Sequence, residues 1–435
     1  MQPLMCDIMK HMPHPFVVLL GKSIRYAARL RGGGSALPGL FVEKIDPDFI
    51  KKTLDQLPFG TILISGTNGK TTTTKMVVAL LESHGLTVFT NRTGSNFTRG
   101  VAAALLKDID LKGKLHADIA VLELDEAHAV RFVKTVQPDY SLFLNVMRDQ
   151  LDRFGEIDAT AKLLAQVAEH TQKGLILNRE DPRIRAIATV AKKNMSLTYF
   201  GLSDALLKTF PNDDDMRKSS VKATPRPTAD VLLQAYQADT ATFSIDEQTY
   251  KTALKINGLY NVFNAAAAIA TTEAVLQGNF DAAKAIDGLA NVSPAFGRGE
   301  TLMIGGKPLE LVLVKNPSGF RLGLQSFPPE GHATMIAIND NYADGRDMSW
   351  LWDVDFESLA EVGVSQVSGV RAYDMALRLQ YDEVTIAHIE PDLALAVRQF
   401  IATNPDTPKR IYCTYTAMLA LRKELAKMTQ VEVIA

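Results

Sequence analysis

Residues 62–74 constrain the chain more than any other segment. The apolar run Ile62-Leu63-Ile64 leads through Ser65-Gly66-Thr67-Asn68-Gly69 into Lys70-Thr71-Thr72-Thr73-Thr74. This reads as a buried strand, a glycine-bearing turn and the first turn of a helix. A turn of this kind binds phosphate. Gly66 and Gly69, with Thr67 and Asn68 between them, let backbone N–H groups converge on phosphate oxygens. Lys70 neutralises charge on the β and γ phosphates, Thr71 offers a hydroxyl to Mg²⁺, and Thr72 continues the helix N-terminus. The longer phosphate-loop pattern needs a glycine five positions before Gly69, where Ile64 stands, so this is the shorter G-x-x-G-K-T form.

A nucleotide–Mg²⁺ site also needs a carboxylate at the end of a neighbouring strand. Val121-Leu122-Glu123-Leu124-Asp125-Glu126 supplies it, and Glu123, where the apolar run gives out, is the expected Mg²⁺ contact. Asp125 and Glu126 are alternatives that read equally as solvated loop charges, Glu126 above all. His128 reads as a loop histidine rather than a ligand.

The segments around this loop set the fold class. Short β-rich runs at 61–65, 119–124, 141–145 and 174–177 alternate with helical stretches, the pattern of an α/β domain with a mainly parallel sheet and crossover helices. Residues 203–230 lose the pattern and gather Asp213, Asp214, Asp215, Pro225 and Pro227, so they read as an exposed excursion. Periodicity returns in a strand at 240–245 and an Ala-rich helix at 261–277. Further strand-like runs at 309–314, 334–338, 366–370 and 410–414 predict a second, smaller Rossmann-like α/β domain. A length of 435 residues suggests roughly three domains at about 150 residues each. The motifs reduce this to a lead (1–55), a central ATP-binding domain (56–301) and a C-terminal domain (302–435), with Gly32-Gly33-Gly34 a flexible joint in the lead.

Charge and cysteine content exclude several function classes. Lys+Arg 47 against Asp+Glu 49 gives a net charge of −2, so no global field favours nucleic acid. Two cysteines, Cys6 and Cys413, make neither a disulfide framework nor a four-cysteine zinc site, and a cytoplasmic setting is expected. No apolar stretch approaches the roughly 18 to 20 residues that span a bilayer, and the run 16–20 is short for a signal peptide. Lys22, Arg25, Arg29 and Arg31 follow that run on an amphipathic helix, which reads either as a solvated face or as a peripheral membrane contact.

Taken together, the phosphate loop, the Glu123 strand, residues 145–155, residues 177–182 and Asn261-Val262-Phe263-Asn264 resemble the Mur ligase family in order and spacing. Residues 148–156, Lys315-Asn316-Pro317-Ser318-Gly319 and residues 339–350 bring the resemblance closest to its MurT family, and it covers nearly the whole chain. The resemblance implies a Mur-type ATPase domain in which ATP activates a carboxylate as an acyl phosphate for attack by an amine. It implies that Gly66 to Thr72 hold the ATP phosphates, that Thr71 and Glu123 serve Mg²⁺, and that Asn261 and Asn264 meet the nucleotide. It also implies that Arg298 reaches the phosphates; physically, an always-charged guanidinium suits charge developing on an acyl phosphate. Asn96, in a loop facing the acceptor, is either a substrate contact or a turn residue.

The same resemblance implies amidation of the D-glutamate α-carboxylate of lipid II, with ammonia delivered by a GatD-like class I glutamine amidotransferase subunit at the inner face of the membrane. The chain itself offers no activated cysteine, since Cys413 sits in an apolar run and Cys6 in the lead. An aspartate of the C-terminal domain is expected to complete the partner's Cys-His pair. Among Asp340, Asp344, Asp347, Asp353 and Asp355 the choice is Asp347, with Asp344 and Asp353 behind it. Many MurT proteins carry a four-cysteine zinc ribbon; residues 203–230 have no cysteine, so no zinc is expected. The alternatives are an amino-acid ligase resembling folylpolyglutamate synthase and a non-catalytic nucleotide-binding subunit.

Overall fold

The computed structural model describes residues 15–30, 37–91, 97–148, 157–210, 225–237, 240–256, 258–293, 298–403 and 405–431, with side chains left out at 27–30, 37, 259, 298 and 299. Two compact units emerge. The first comprises residues 1–146, 158–254 and 263–292; the second comprises 147–157, 255–262 and 293–435.

In the first unit, helices α1 (Pro15–Leu30), α2 (Leu37–Ile45) and α3 (Phe49–Leu54) precede β1 (Thr61–Ser65). There follow α4 (Lys70–Ser83), β2 (Val88–Thr90), α5 (Thr98–Asp108), β3 (Ile119–Glu123), α6 (Glu126–Val133) and β4 (Tyr140–Phe143). The run continues through α7 (Ile157–His170), β5 (Gly174–Asn178), α8 (Pro182–Ile187), β6 (Ser196–Leu202), β7 (Val231–Gln237), β8 (Thr240–Ile245), β9 (Gln248–Ala253), α9 (Leu259–Leu276) and α10 (Ala282–Ala290). The strands form one nine-stranded sheet in the order β2-β3-β1-β4-β5-β6-β7-β8-β9. β1, β3, β4 and β5 are buried at every position. Strands buried on both faces are apolar along most of their length, which is why these runs do not alternate. β8 alternates half-exposed and buried residues, and it joins β7 and β9 in antiparallel pairing at the sheet edge.

Chain order reverses at β1, which pairs in parallel with both β3 and β4. The carboxyl end of β1 is therefore a topological switch point, where an open α/β sheet leaves a crevice for a ligand.

The lead helices are packed into this unit rather than standing apart. A Cβ at Gly21 of α1 would lie 2.7 Å from Leu106 and 2.8 Å from Val42, and one at Gly39 would lie 2.1 Å from the Arg99 carbonyl oxygen. At Gly39, where the neighbour is backbone, only glycine permits such close helix contact.

The second unit is a six-stranded sheet. Its elements are β10 (Arg298–Ile304), β11 (Lys307–Leu313), α11 (Pro317–Ser326), β12 (Ala333–Ala337), β13 (Val364–Ser368), α12 (Ala372–Tyr381), β14 (Ile386–Glu390), α13 (Leu393–Ala402), β15 (Lys409–Cys413) and α14 (Tyr415–Leu425). The strand order is β10-β11-β15-β12-β13-β14, all parallel except the β10–β11 hairpin. One face packs Phe320, Trp350, Phe356 and Tyr412; the other packs Leu309, Phe400, Met418 and Leu421. Arg422 of α14 pairs with Glu300 of β10, and both side chains are largely buried. Thus the α/β class with a mainly parallel sheet, and the smaller second α/β unit, are both present.

Candidate nucleotide site and acidic loop

The phosphate loop takes its shape from two glycines and two asparagines. Gly66 has φ of 130° and Gly69 has φ of 91°, conformations that side chains rarely adopt. A Cβ at Gly66 would come within 3.0 Å of the Asn145 backbone, and one at Gly69 within 2.7 Å of Asn264 Oδ1. Asn145, just beyond β4, holds the loop from outside. Its Nδ2 donates to the Asn68 carbonyl at 3.0 Å, its Oδ1 accepts from the Asn68 N–H at 2.9 Å, and its carbonyl accepts from the Thr67 N–H at 3.0 Å.

The loop ends at Gly69, which caps α4 without any side-chain hydrogen bond. Lys70, buried, turns back over the loop: its Nζ donates to the Gly66 carbonyl at 2.6 Å and pairs with Asp125 at 3.2 Å. One residue on, the Thr71 hydroxyl donates to Glu123 Oε1 at 3.1 Å. Glu123 ends β3 and is buried. Asn91, just after β2, fixes it by donating to its carbonyl at 2.9 Å and accepting from its N–H at 3.1 Å.

These residues fit a nucleotide–Mg²⁺ group. The Thr72 Oγ1 is buried with no hydrogen-bond partner among the described residues, at the helix N-terminus where phosphate oxygens bind. Thr71 and Glu123 present hard oxygen donors side by side, and Mg²⁺ typically takes one or two protein oxygens with phosphates and waters completing its shell.

Asn264 lies against Gly69, and Asn261 precedes it by one turn on α9. Arg298 opens β10, its side chain being outside the described atoms. Asn96, Cys6, the glycine triplet and residues 211–224 lie outside the described residues. Asp125 is a partner of Lys70 rather than a solvated charge. Glu126, expected as a solvated loop charge, is buried in the first turn of α6, because the helix begins immediately after Asp125 and draws it inward. His128 packs its ring 5.8 Å from that of Phe97.

The acidic residues of the second unit separate by environment. Asp344 is buried and accepts from the Asn341 N–H at 3.1 Å, the Thr416 N–H at 2.7 Å and the Thr416 hydroxyl at 2.5 Å. Burial nonetheless pushes its carboxyl above the usual range. Asp340 pairs with Arg371 at 2.7 Å, and Asp353 with Arg148 at 2.8 Å. Asp347 is half-buried and accepts from the Ser349 N–H at 2.9 Å. The Ser349 hydroxyl, then its N–H, then the charge of Arg148 hold its carboxyl below the usual range, so it is ionised at neutral pH. Cys413 is fully buried, and burial pushes its thiol far up, which makes it inert.

Comparison with known proteins adds the family. The Mur ligase middle domain is matched over residues 64–272 and the MurT ligase C-terminal domain over residues 313–418. The subunit MurT of lipid II isoglutaminyl synthase (glutamine-hydrolyzing) from Streptococcus pneumoniae is 31% identical, over 94% of this chain and 96% of its own. The chain belongs to the MurT family of Mur ligases. The MurT subunit from Staphylococcus aureus strain COL is likewise 31% identical, over 84% of this chain and 87% of its own. Among solved structures, a pseudomurein peptide ligase type C from Methanothermus fervidus shares the fold. Its TM-score is 0.67 at 19% identity, covering 88% of this chain and 81% of that one.

As a MurT family member the chain is an ATP-dependent ligase that forms amide bonds. The sequence reading of the site missed Asn145 and Asn91 as structural clamps of the family's nucleotide loop, together with Asn178, whose Nδ2 donates to the Leu144 carbonyl at 2.8 Å. A shared signal was present: each is an asparagine directly at or after the end of an apolar strand. Among the described residues no group of three or more His, Cys, Asp or Glu side chains converges as a metal cage, and no helix is long and apolar enough to cross a membrane.

Proposed function

We propose that this chain is the synthetase subunit of a glutamine-hydrolysing lipid II isoglutaminyl synthase, acting on ATP and the D-glutamate α-carboxylate of the lipid II stem peptide. The observation that carries it is the Thr71 hydroxyl 3.1 Å from Glu123, set at the mouth of a phosphate loop. Similarity to subunits of that name over most of the chain supports the choice of acceptor.

In this reading the acceptor carboxylate attacks the γ-phosphorus of ATP, ADP leaves, and an acyl phosphate forms. Ammonia then adds to its carbonyl carbon, phosphate leaves and a proton is lost, giving D-isoglutamine. Backbone N–H groups of the loop and Lys70 hold the phosphates, Thr72 Oγ1 donates to one of their oxygens, and Asn261 and Asn264 meet the nucleotide. Mg²⁺, held by Thr71 and Glu123, would neutralise charge on the phosphates. Arg298 stabilises the charge that develops as the acyl phosphate forms. Asn96 contacts the acceptor.

In this reading ammonia comes from a GatD-like amidotransferase subunit, and the buried Cys413 thiol takes no part. Asp347, already ionised, orients that subunit's histidine and stabilises its cation. The complex works at the inner face of the cytoplasmic membrane, where its acceptor is anchored.

The deciding experiment is mass spectrometry of lipid II after incubation with ATP, Mg²⁺ and ammonia, and separately with glutamine and the partner. Replacement of one carboxyl OH by NH₂ is expected. Ligation of a free amino acid instead would replace this reading with that of an amino-acid ligase. Product formation undiminished in a Lys70→Ala complex would reduce the chain to a regulatory subunit.

A further inference from the structure

We propose that the lead helices α1 and α2 dock the enzyme onto an anionic lipid surface. Each of the two helices buries one apolar face in the unit and leaves further apolar side chains exposed. α1 buries Val17 and Val18 within the unit, yet leaves Leu19 56% and Tyr26 68% exposed. These two residues are seven apart, two helical turns, and so share one stripe. Ser23, between them on that stripe, donates its hydroxyl to the Leu19 carbonyl at 2.9 Å, so the stripe presents little polar character. On α2, Phe41 is 43% and Ile45 47% exposed, one turn apart, while Val42 is buried. Scattered exposed apolar residues need no explanation, but stripes on consecutive helices do.

Charge selects the occupant. Residues 15–45 carry Lys22, Arg25, Arg29, Arg31 and Lys44 against the single acid Glu43, in a chain whose net charge is −2. Glu43 is itself paired with Arg99 at 3.4 Å. Lys44 is exposed beside Ile45, and Lys22 and Arg25 are half-exposed beside the α1 stripe. Apolar side chains bordered by basic ones match the acyl–headgroup boundary of an anionic bilayer, where apolar burial and attraction to lipid phosphates add together. This gives the proposed lipid-linked acceptor a surface on which the enzyme meets it, but the docking does not require that acceptor.

The test is flotation of the full chain with vesicles of phosphatidylglycerol and phosphatidylcholine, compared with phosphatidylcholine alone, at low and high salt. Binding is expected only to the anionic vesicles, weakened by salt. It should fall about tenfold or more in Leu19→Glu/Tyr26→Glu, because burying a charged group in place of an apolar one opposes insertion. An ATP-induced thermal shift equal to wild type shows that the variant is folded. If that control fails, Lys44→Glu, at an exposed position, must produce the same loss. The proposal is overturned by equal binding to neutral vesicles, by no binding at low salt, or by folded variants that bind like wild type. It is also overturned by light scattering that finds a dimer abolished by the same substitutions, which would assign the stripes to a second copy. Since vesicles here carry no lipid II, failure of the docking leaves the proposed reaction standing, and the mass-spectrometric test of that reaction leaves the docking standing.

Discussion

Asn145 and Asn68 exchange two hydrogen bonds, at 2.9 and 3.0 Å, so that one side-chain amide clamps both polar groups of a phosphate-loop peptide. The loop is thereby shaped from a neighbouring strand end rather than by its own side chains. Preorganisation of this kind spares the nucleotide the cost of ordering the loop when it binds.

Replacing Asn145 by Ala removes both bonds and leaves the Asn68 N–H and carbonyl without that amide. The expected result is a rise of about tenfold in KM for ATP, the equivalent of roughly 1 to 2 kcal/mol, with a smaller change in kcat. Steady-state kinetics over ATP concentration checks this; unchanged KM would show that the glycines alone shape the loop.

Glu123→Gln keeps the size of the side chain and an acceptor for Thr71, but removes the charge. If Glu123 serves Mg²⁺, the concentration of Mg²⁺ giving half-maximal rate should rise by about tenfold or more. A variant whose Mg²⁺ titration overlays wild type would place the metal elsewhere.

Asp347→Asn should separate two activities. Glutamine-dependent amidation in the complex is expected to fall by about a hundredfold or more, while ammonia-dependent amidation by the same protein stays within about twofold, since ammonia bypasses the glutaminase. Asp344→Asn, by contrast, disturbs the anchoring of the loop on α14 and should lower thermal stability as well. Parallel losses in both activities for Asp347→Asn would remove its assignment to the partner.

Asp181 gives a pH signature. It is buried, accepts from the Val146 N–H at 2.7 Å and caps α8, and burial pushes its carboxyl up to about 6. The folded chain therefore keeps this proton at pH values where the unfolded chain, with an ordinary carboxylate, has released it. Stability from this group is complete below about pH 4 and is lost as pH rises through 6. Urea unfolding of wild type and Asp181→Asn from pH 4 to 7 should show the difference moving against wild type by roughly 2 to 3 kcal/mol. A constant difference would mean that the carboxyl titrates normally.

What could be read in the sequence follows from where each signal resides. The strands around β1 are legible because burial on both faces demands unbroken apolar runs, and the loop is legible because its backbone needs glycine at 66 and 69. The Thr71–Glu123 approach could be anticipated from a strand ending in a carboxylate, although its distance could not. Asn145 and Asn91 escaped because their partners are backbone groups 77 and 32 residues away, which leave no trace in side-chain spacing. Glu126 was misplaced because a charged residue after a strand reads as loop, whereas a helix starts there at once. Asp347 and Asp344 could not be told apart physically in an acidic run; the structure separates their environments, burying Asp344 against Thr416 and leaving Asp347 half-buried beside Ser349.

The second sheet has its final strand, β15, lying between β11 and β12. A nascent chain therefore exposes two separate pieces of sheet, the β10–β11 hairpin and the β12–β13–β14 set, until β15 has left the ribosome. Only then does Lys409–Cys413 slot between them, and Arg422 on the following helix closes on Glu300. The strand that begins with Arg298 is thus secured by α14, so a product stopped before β15 would lack a middle strand of this sheet rather than an edge strand. Synthesis through β15 thus acts as a quality check: a polypeptide stopped before it would carry the phosphate loop, yet would leave the second sheet in two pieces.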